Sequence, residues 1–91
     1  NTENVWIAWQ FHSSLSGRGF VQAFRRPGEQ SPDTITVTLR GLDPQRSYRV
    51  TDMDNPQAAV TVSGAELLQK GITVKQDKAP AAALIRYEAV K

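Results

Sequence analysis

Apolar side chains alternate with period two along nearly all of this 91-residue chain, and turn residues break the runs about every eight to twelve positions. Side chains of a strand point alternately to its two faces, so each run supplies one face for a core and one for its surroundings. Two phrases fix the pattern most tightly. Gly41-Leu42-Asp43-Pro44-Gln45-Arg46-Ser47-Tyr48-Arg49-Val50 reads as a tight turn leading into a strand, and Ser63-Gly64-Ala65-Glu66-Leu67-Leu68-Gln69-Lys70-Gly71-Ile72 as a second turn. The pattern predicts an all-β, antiparallel two-sheet β-sandwich of about seven or eight short strands, with helix nearly absent.

Strand by strand, Val5 to His12 alternates, with Val5, Ile7, Trp9 and Phe11 on one face and Trp6, Ala8, Gln10 and His12 on the other. The first set is the more apolar and is expected to face the core. Gly19 to Arg25 forms a second strand, and residues 26–33, with two prolines and a glycine, form a surface connection. Thr34 to Arg40 places Ile35, Val37 and Leu39 inward, with β-branched residues on both sides as strands favour. At Asp43-Pro44 the proline presets the turn and the aspartate can bond back to the main chain. Tyr48, following Leu42 across that turn, has the spacing of a tyrosine corner, in which the phenol bonds upstream backbone. Val60 and Val62 mark a short strand. Ala65 to Lys70 has good helix formers closed by Gly71, a single helical turn with a glycine cap, after which Ile72 and Val74 resume a strand. Ala81 to Val90 is apolar on both faces through Leu84 and Ile85, as expected of a strand central in its sheet.

The chain is long enough for one domain and too short for two with separate cores: residues 1–4 read as the remnant of an N-terminal linker and residues 5–91 as a single domain. It begins at Asn1-Thr2-Glu3, without an initiator methionine, as a piece excised from something longer would. With 40% hydrophobic residues and no cysteine, the fold rests on its apolar core, without disulfides or thiolate metal sites. Eleven basic residues against nine acidic ones leave a net charge of +2, scattered except for Arg25-Arg26, which gives no footprint for nucleic acid. No apolar run reaches the ~18 residues of a membrane span. No cofactor is implied, and the compartment stays open between cytoplasm and periplasm or exterior.

Read in order, Trp9-Gln10-Phe11, Gly19 to Arg26, Leu39 to Pro44, Tyr48-Arg49-Val50, Ser63 to Leu68, Gly71-Ile72 and Ala83-Leu84-Ile85-Arg86-Tyr87 resemble the C-terminal β-domain of glycoside hydrolase family 36, the α-galactosidases. The resemblance runs over nearly the whole chain. Ser13-Ser14-Leu15-Ser16 and the alanine-rich Pro80-Ala81-Ala82-Ala83 depart from the family pattern. The resemblance implies a β-sandwich that follows a (β/α)8 catalytic barrel holding the nucleophile and acid/base aspartates. No catalytic residue then carries over onto this chain. The parent would be a retaining enzyme acting on terminal α-linked galactose or a related sugar.

Against that background, Trp6, on the expected outer face with His12, is the candidate for contact with a neighbouring domain or a sugar; Phe20 or Phe24 would join it in bracing the barrel, and Arg26 could meet sugar or a carboxylate. Trp9, Phe11 and Tyr48 are expected to be structural. His12 has no second histidine or cysteine with which to hold a metal. Asp52-Met53-Asp54-Asn55 starts like a calcium loop, but Gln57 stands where glycine is required and no glutamate closes it. Asp33, Asp52, Asp54 and Glu66 all lie in or beside turns, without neighbours that would raise one pKa for glycosidase chemistry. The serines lack a nucleophile elbow. The expected role is a non-catalytic module that packs on and stabilises the barrel, itself not an enzyme. Two alternatives stand beside it: a carbohydrate-binding module using Trp6, His12 and Arg26 on a galactoside, and a fibronectin-like protein-interaction module suggested by Leu42 and Tyr48.

Overall fold

A computed structural model describes residues 6–25, 34–75 and 81–90. The connection expected at 26–33, Arg26 included, and the linker at 1–4 lie outside the described residues. The elements are β1 (Trp6–Ser13), β2 (Arg18–Arg25), β3 (Thr34–Val37), β4 (Ser47–Asp52), a 3-10 turn (Pro56–Ala58), β5 (Val60–Ser63), α1 (Gly64–Lys70), β6 (Ile72–Lys75) and β7 (Ala81–Ala89). Five strands form a sheet in the order β1-β2-β7-β4-β5, and β3 pairs with β6 in a second sheet. Every pairing is antiparallel. The all-β sandwich expected from the alternation is the fold, with β7 in the middle of the larger sheet.

The core lies between the two sheets. Val21 and Ala23 of β2, Ala83, Ile85 and Tyr87 of β7 and Tyr48 of β4 meet Leu67 of α1 and Ile72 and Val74 of β6. The tyrosine corner is present: the Asp43 N–H donates to the Tyr48 phenol oxygen at 2.8 Å. Asp43 also holds its own turn, its carboxylate accepting from Gln45 N–H (2.8 Å) and its carbonyl from Arg46 N–H (3.1 Å). The helix runs longer than the single turn expected. Ser63 caps it by accepting from Glu66 N–H at 3.1 Å, and Gly71, at φ 74°, ends it by donating to the Leu67 carbonyl at 2.8 Å.

β3 is shorter than its alternation predicts, because Thr38, Leu39 and Arg40 leave the ladder. Leu39 still buries its side chain in the core. The Arg40 peptide group finds its partners in a side chain of β1: Gln10 Nε2 donates to the Arg40 carbonyl (2.9 Å) and Gln10 Oε1 accepts from the Arg40 N–H (2.8 Å). A primary amide offers the same donor and acceptor pair as a peptide unit, so Gln10 replaces one rung of a missing strand pairing.

That requirement reverses the expected faces of β1. Ala8 lies opposite Ala23 and Gln10 opposite Val21, so these residues share the inner face with the core of β2. Trp6 and Ala8 pack against the core as half-buried side chains. Trp9 and Phe11, expected inside, are 48% and 59% exposed, and Ile7 is 43% exposed. The strand alternates as predicted, but the more apolar half of it points away from the core.

Candidate docking face

The outer surface of the large sheet carries the aromatic side chains that β1 and β2 do not bury. The ladder places Ile7 opposite Phe24, Trp9 opposite Gln22 and Phe11 opposite Phe20. On the next strand, Phe24 lies beside Ala82, Gln22 beside Leu84 and Phe20 beside Arg86. The Phe11 and Phe20 rings stack with centroids 5.4 Å apart and planes at 21°. Contiguous apolar surface of this kind, rimmed by polar groups, is what interaction sites of proteins look like. The expectation that Phe20 and Phe24 share a face is met, Phe20 half-buried and Phe24 exposed. Trp6 is absent from that face, and Trp9 and Phe11 take its place.

Beyond the aromatic rows the face becomes charged. Glu88 of β7 lies between Arg18 of β2 and Arg49 of β4, and Arg86 lies between Phe20 and Thr51. Arg49, Thr51, Met53, Pro56, Arg86 and Glu88 line an open groove of about 320 Å3.

On the inner side, three polar side chains expected to act separately are joined. Gln10 Nε2 donates to the Tyr87 phenol oxygen at 2.7 Å, and that oxygen lies 2.8 Å from His12 Nδ1. The phenol and the imidazole share one hydrogen bond, in which the imidazole tautomer sets the donor. The His12 ring stacks on Tyr87 with centroids 5.8 Å apart, and Tyr48 meets Tyr87 edge-on at 5.9 Å. Burial pushes the Tyr87 phenol above its ordinary value, against the pull of the Gln10 hydrogen bond, with Tyr48 adding a smaller push in the same direction as burial. This is a satisfied polar junction in the sandwich. Among the described residues no buried side-chain N or O lacks a hydrogen-bond partner. His12 is thereby turned toward Tyr87 and away from the outer face.

Asp52 and Asp54 stand at the turn that follows β4 and Glu66 in the first turn of α1, whereas Asp33 lies outside the described residues. Asp52 Oδ1 accepts from Asp54 N–H at 2.9 Å, a local turn bond that satisfies one side-chain oxygen. Among the described residues no group of three histidine, cysteine, aspartate or glutamate side chains could hold a metal ion, and no helix is long and apolar enough to cross a membrane. Gln10 is the residue that sequence reasoning passed over. Its signal is a polar side chain on an otherwise apolar strand face, beside a partner strand that ends early.

The profile of the glycosyl hydrolase family 36 C-terminal domain matches residues 6–87, which covers every strand from β1 to most of β7. The chain belongs to that family of C-terminal domains. Among solved structures, the galactosidase domain of the alpha-galactosidase-sucrose kinase AgaSK superposes with a TM-score of 0.73 at 25% identity over 96% of this chain. The family 36 α-galactosidase AgaB from Geobacillus stearothermophilus gives 0.74 at 25% identity over 97%. AgaA from the same organism gives 0.76 over 98%, and at 23% identity it speaks for the fold alone. In each, the family 36 C-terminal domain seen here corresponds to 12% of the longer chain. No curated protein matches this sequence.

Proposed function

We propose that this chain is the non-catalytic C-terminal β-sandwich of an α-galactosidase-like glycoside hydrolase, and that it packs on the catalytic barrel of its parent through the outer face of β1, β2 and β7. The observation that carries the reading is the outward placement of Ile7, Trp9, Phe11 and Phe24, four large apolar side chains exposed on one sheet face. The reading is supported by the solved relatives, in which the matching region is 12% of a longer chain, so that a parent of that kind has further chain with which to cover such a face. Burying exposed apolar area stabilises both partners, at about 25 cal/mol for each Å2 removed from water. The catalytic pair of carboxylates of the retaining parent belongs to the barrel, whereas Asp43 and Asp52 of this chain bond within their own turns.

Deleting this domain from the full-length parent tests the reading. The expected result is a lower melting temperature and exposure of a matching apolar surface on the barrel. An unchanged melting temperature and activity would refute it. The 91-residue chain alone, incubated with an aryl α-galactoside, is expected to release no aryl alcohol.

A further inference from the structure

The charged half of the outer face carries more guanidinium than carboxylate. Arg18, Arg49 and Arg86 are all exposed and occupy neighbouring register positions around the single carboxylate of Glu88. Among the described residues Glu88 closes no ion pair with any of them. Arg86 is also the direct cross-strand neighbour of Phe20, which stacks on Phe11, so the guanidinium cluster begins where the aromatic rows end. A surface that covers Phe20 has Arg86 as its immediate neighbour. Covering a guanidinium without giving it a partner costs several kcal/mol in desolvation. With one carboxylate among three guanidinium groups, the charge-complementary surface for this region is an acidic one.

Resting on the docking reading above, we infer that the groove between β4 and β7 receives an acidic segment of the parent's catalytic portion, whose Asp or Glu side chains pair with Arg49 and Arg86. Guanidinium is suited to the role, because its planar fork meets a carboxylate through two parallel hydrogen bonds and tolerates partial desolvation better than ammonium. Thr51 and Pro56 form walls of the groove, and Met53 adds a flexible apolar side chain that can settle against the incoming segment. Glu88, flanked by Arg18 and Arg49, repels a second carboxylate at its own position and so directs the segment toward Arg86. The aromatic rows would supply most of the docking area and the arginine groove its orientation.

The full-length parent with Met53→p-benzoylphenylalanine tests this directly, by irradiation followed by mass-spectrometric mapping of the cross-link. The expected product joins Met53's position to a stretch of the catalytic portion that contains Asp or Glu. Attachment to a stretch without carboxylates, attachment to a second copy of the chain, or the absence of any product would overturn the inference. R49E/R86E in the same background is expected to abolish the product, and changing the acidic residues of the cross-linked stretch to arginine to restore it. An undiminished product in R49E/R86E would also overturn it. W9S separates the two readings: if it weakens docking while R49E/R86E does not, the groove inference fails alone; if it has no effect on docking, both fail together.

Discussion

Trp9→Ser distinguishes an exposed aromatic that belongs to an interface from one that is ordinary surface. Trp9 is 48% exposed in the free domain. A large aromatic side chain carries about 150–250 Å2, so roughly 100 Å2 of Trp9 remains for a partner to cover. At about 25 cal/mol/Å2 that area is worth about 2.5 kcal/mol, an upper bound on what its loss removes from docking, equivalent to about 60-fold in the docking equilibrium. Within the free domain the substitution removes little, because the outer half of the side chain touches nothing and its cross-strand neighbour is the exposed Gln22. The expected cost there is below about 1 kcal/mol, the span of strand propensity. Urea unfolding of the 91-residue chain measures the cost within the free domain, and calorimetry of the full-length parent, in which the domain's transition shifts down as docking weakens, measures the loss of docking. Equal effects in the two settings, or no effect in the parent, would refute the assignment of this face to an interface.

Other substitutions probe the fold that presents the face. Tyr87→Phe leaves one N–H of Gln10 and Nδ1 of His12 without their partner, at about 1–2 kcal/mol, which thermal melting should show as a fall of about 4–16 °C. Because burial raises the folded Tyr87 phenol above its ordinary 10.0, the unfolded chain loses this proton first. The stability from the neutral phenol is complete below about pH 10 and declines as pH rises toward the folded value, by up to ~1.4 kcal/mol per pH unit; Tyr87→Phe should flatten that part of an alkaline stability curve. Ser63→Ala removes the cap of α1 and should cost about 1 kcal/mol, read from the midpoint of urea unfolding. At Gly64 a methyl group would collide with the Asp43 carbonyl and lie 3.1 Å from the Tyr48 ring, so Gly64→Ala should destabilise by about 1–3 kcal/mol; an unchanged melting temperature would mean that the corner is loosely packed.

Much of the fold is legible in the sequence because its signals are local. Alternation finds strands, the Leu42 to Tyr48 turn foretells the tyrosine corner, and the glycine after Lys70 ends a helix. The face of β1 is not legible in the same way. Both halves of Trp6–Ser13 contain large apolar side chains, and counting them favours Ile7, Trp9 and Phe11 for the core. What decides the matter is non-local: Arg40 leaves its sheet thirty positions away in the chain, and its peptide group needs the Gln10 amide. The candidate site inherits this error and its correction. Trp6 and His12 fall inside, Trp9 and Phe11 fall outside, and the arginines that gather around Glu88 come from three strands whose adjacency no short motif announces.

The Gln10 amide also acts as a key for alignment. A strand with two apolar faces can slide or flip against its neighbour at little hydrophobic cost, and a shift by a single residue exchanges every side chain between the faces. In this domain such a shift would bring Trp9 or Phe11 to the place where Arg40 and Tyr87 require an amide, leaving a peptide group and a phenol unanswered. Alignment of the first strand is thus enforced by polar complementarity, and the aromatic side chains are kept on the outside by a glutamine on the inside. A sequence redesigned for a greasier interior at position 10 would gain apolar volume and lose the instruction that says which way the strand faces.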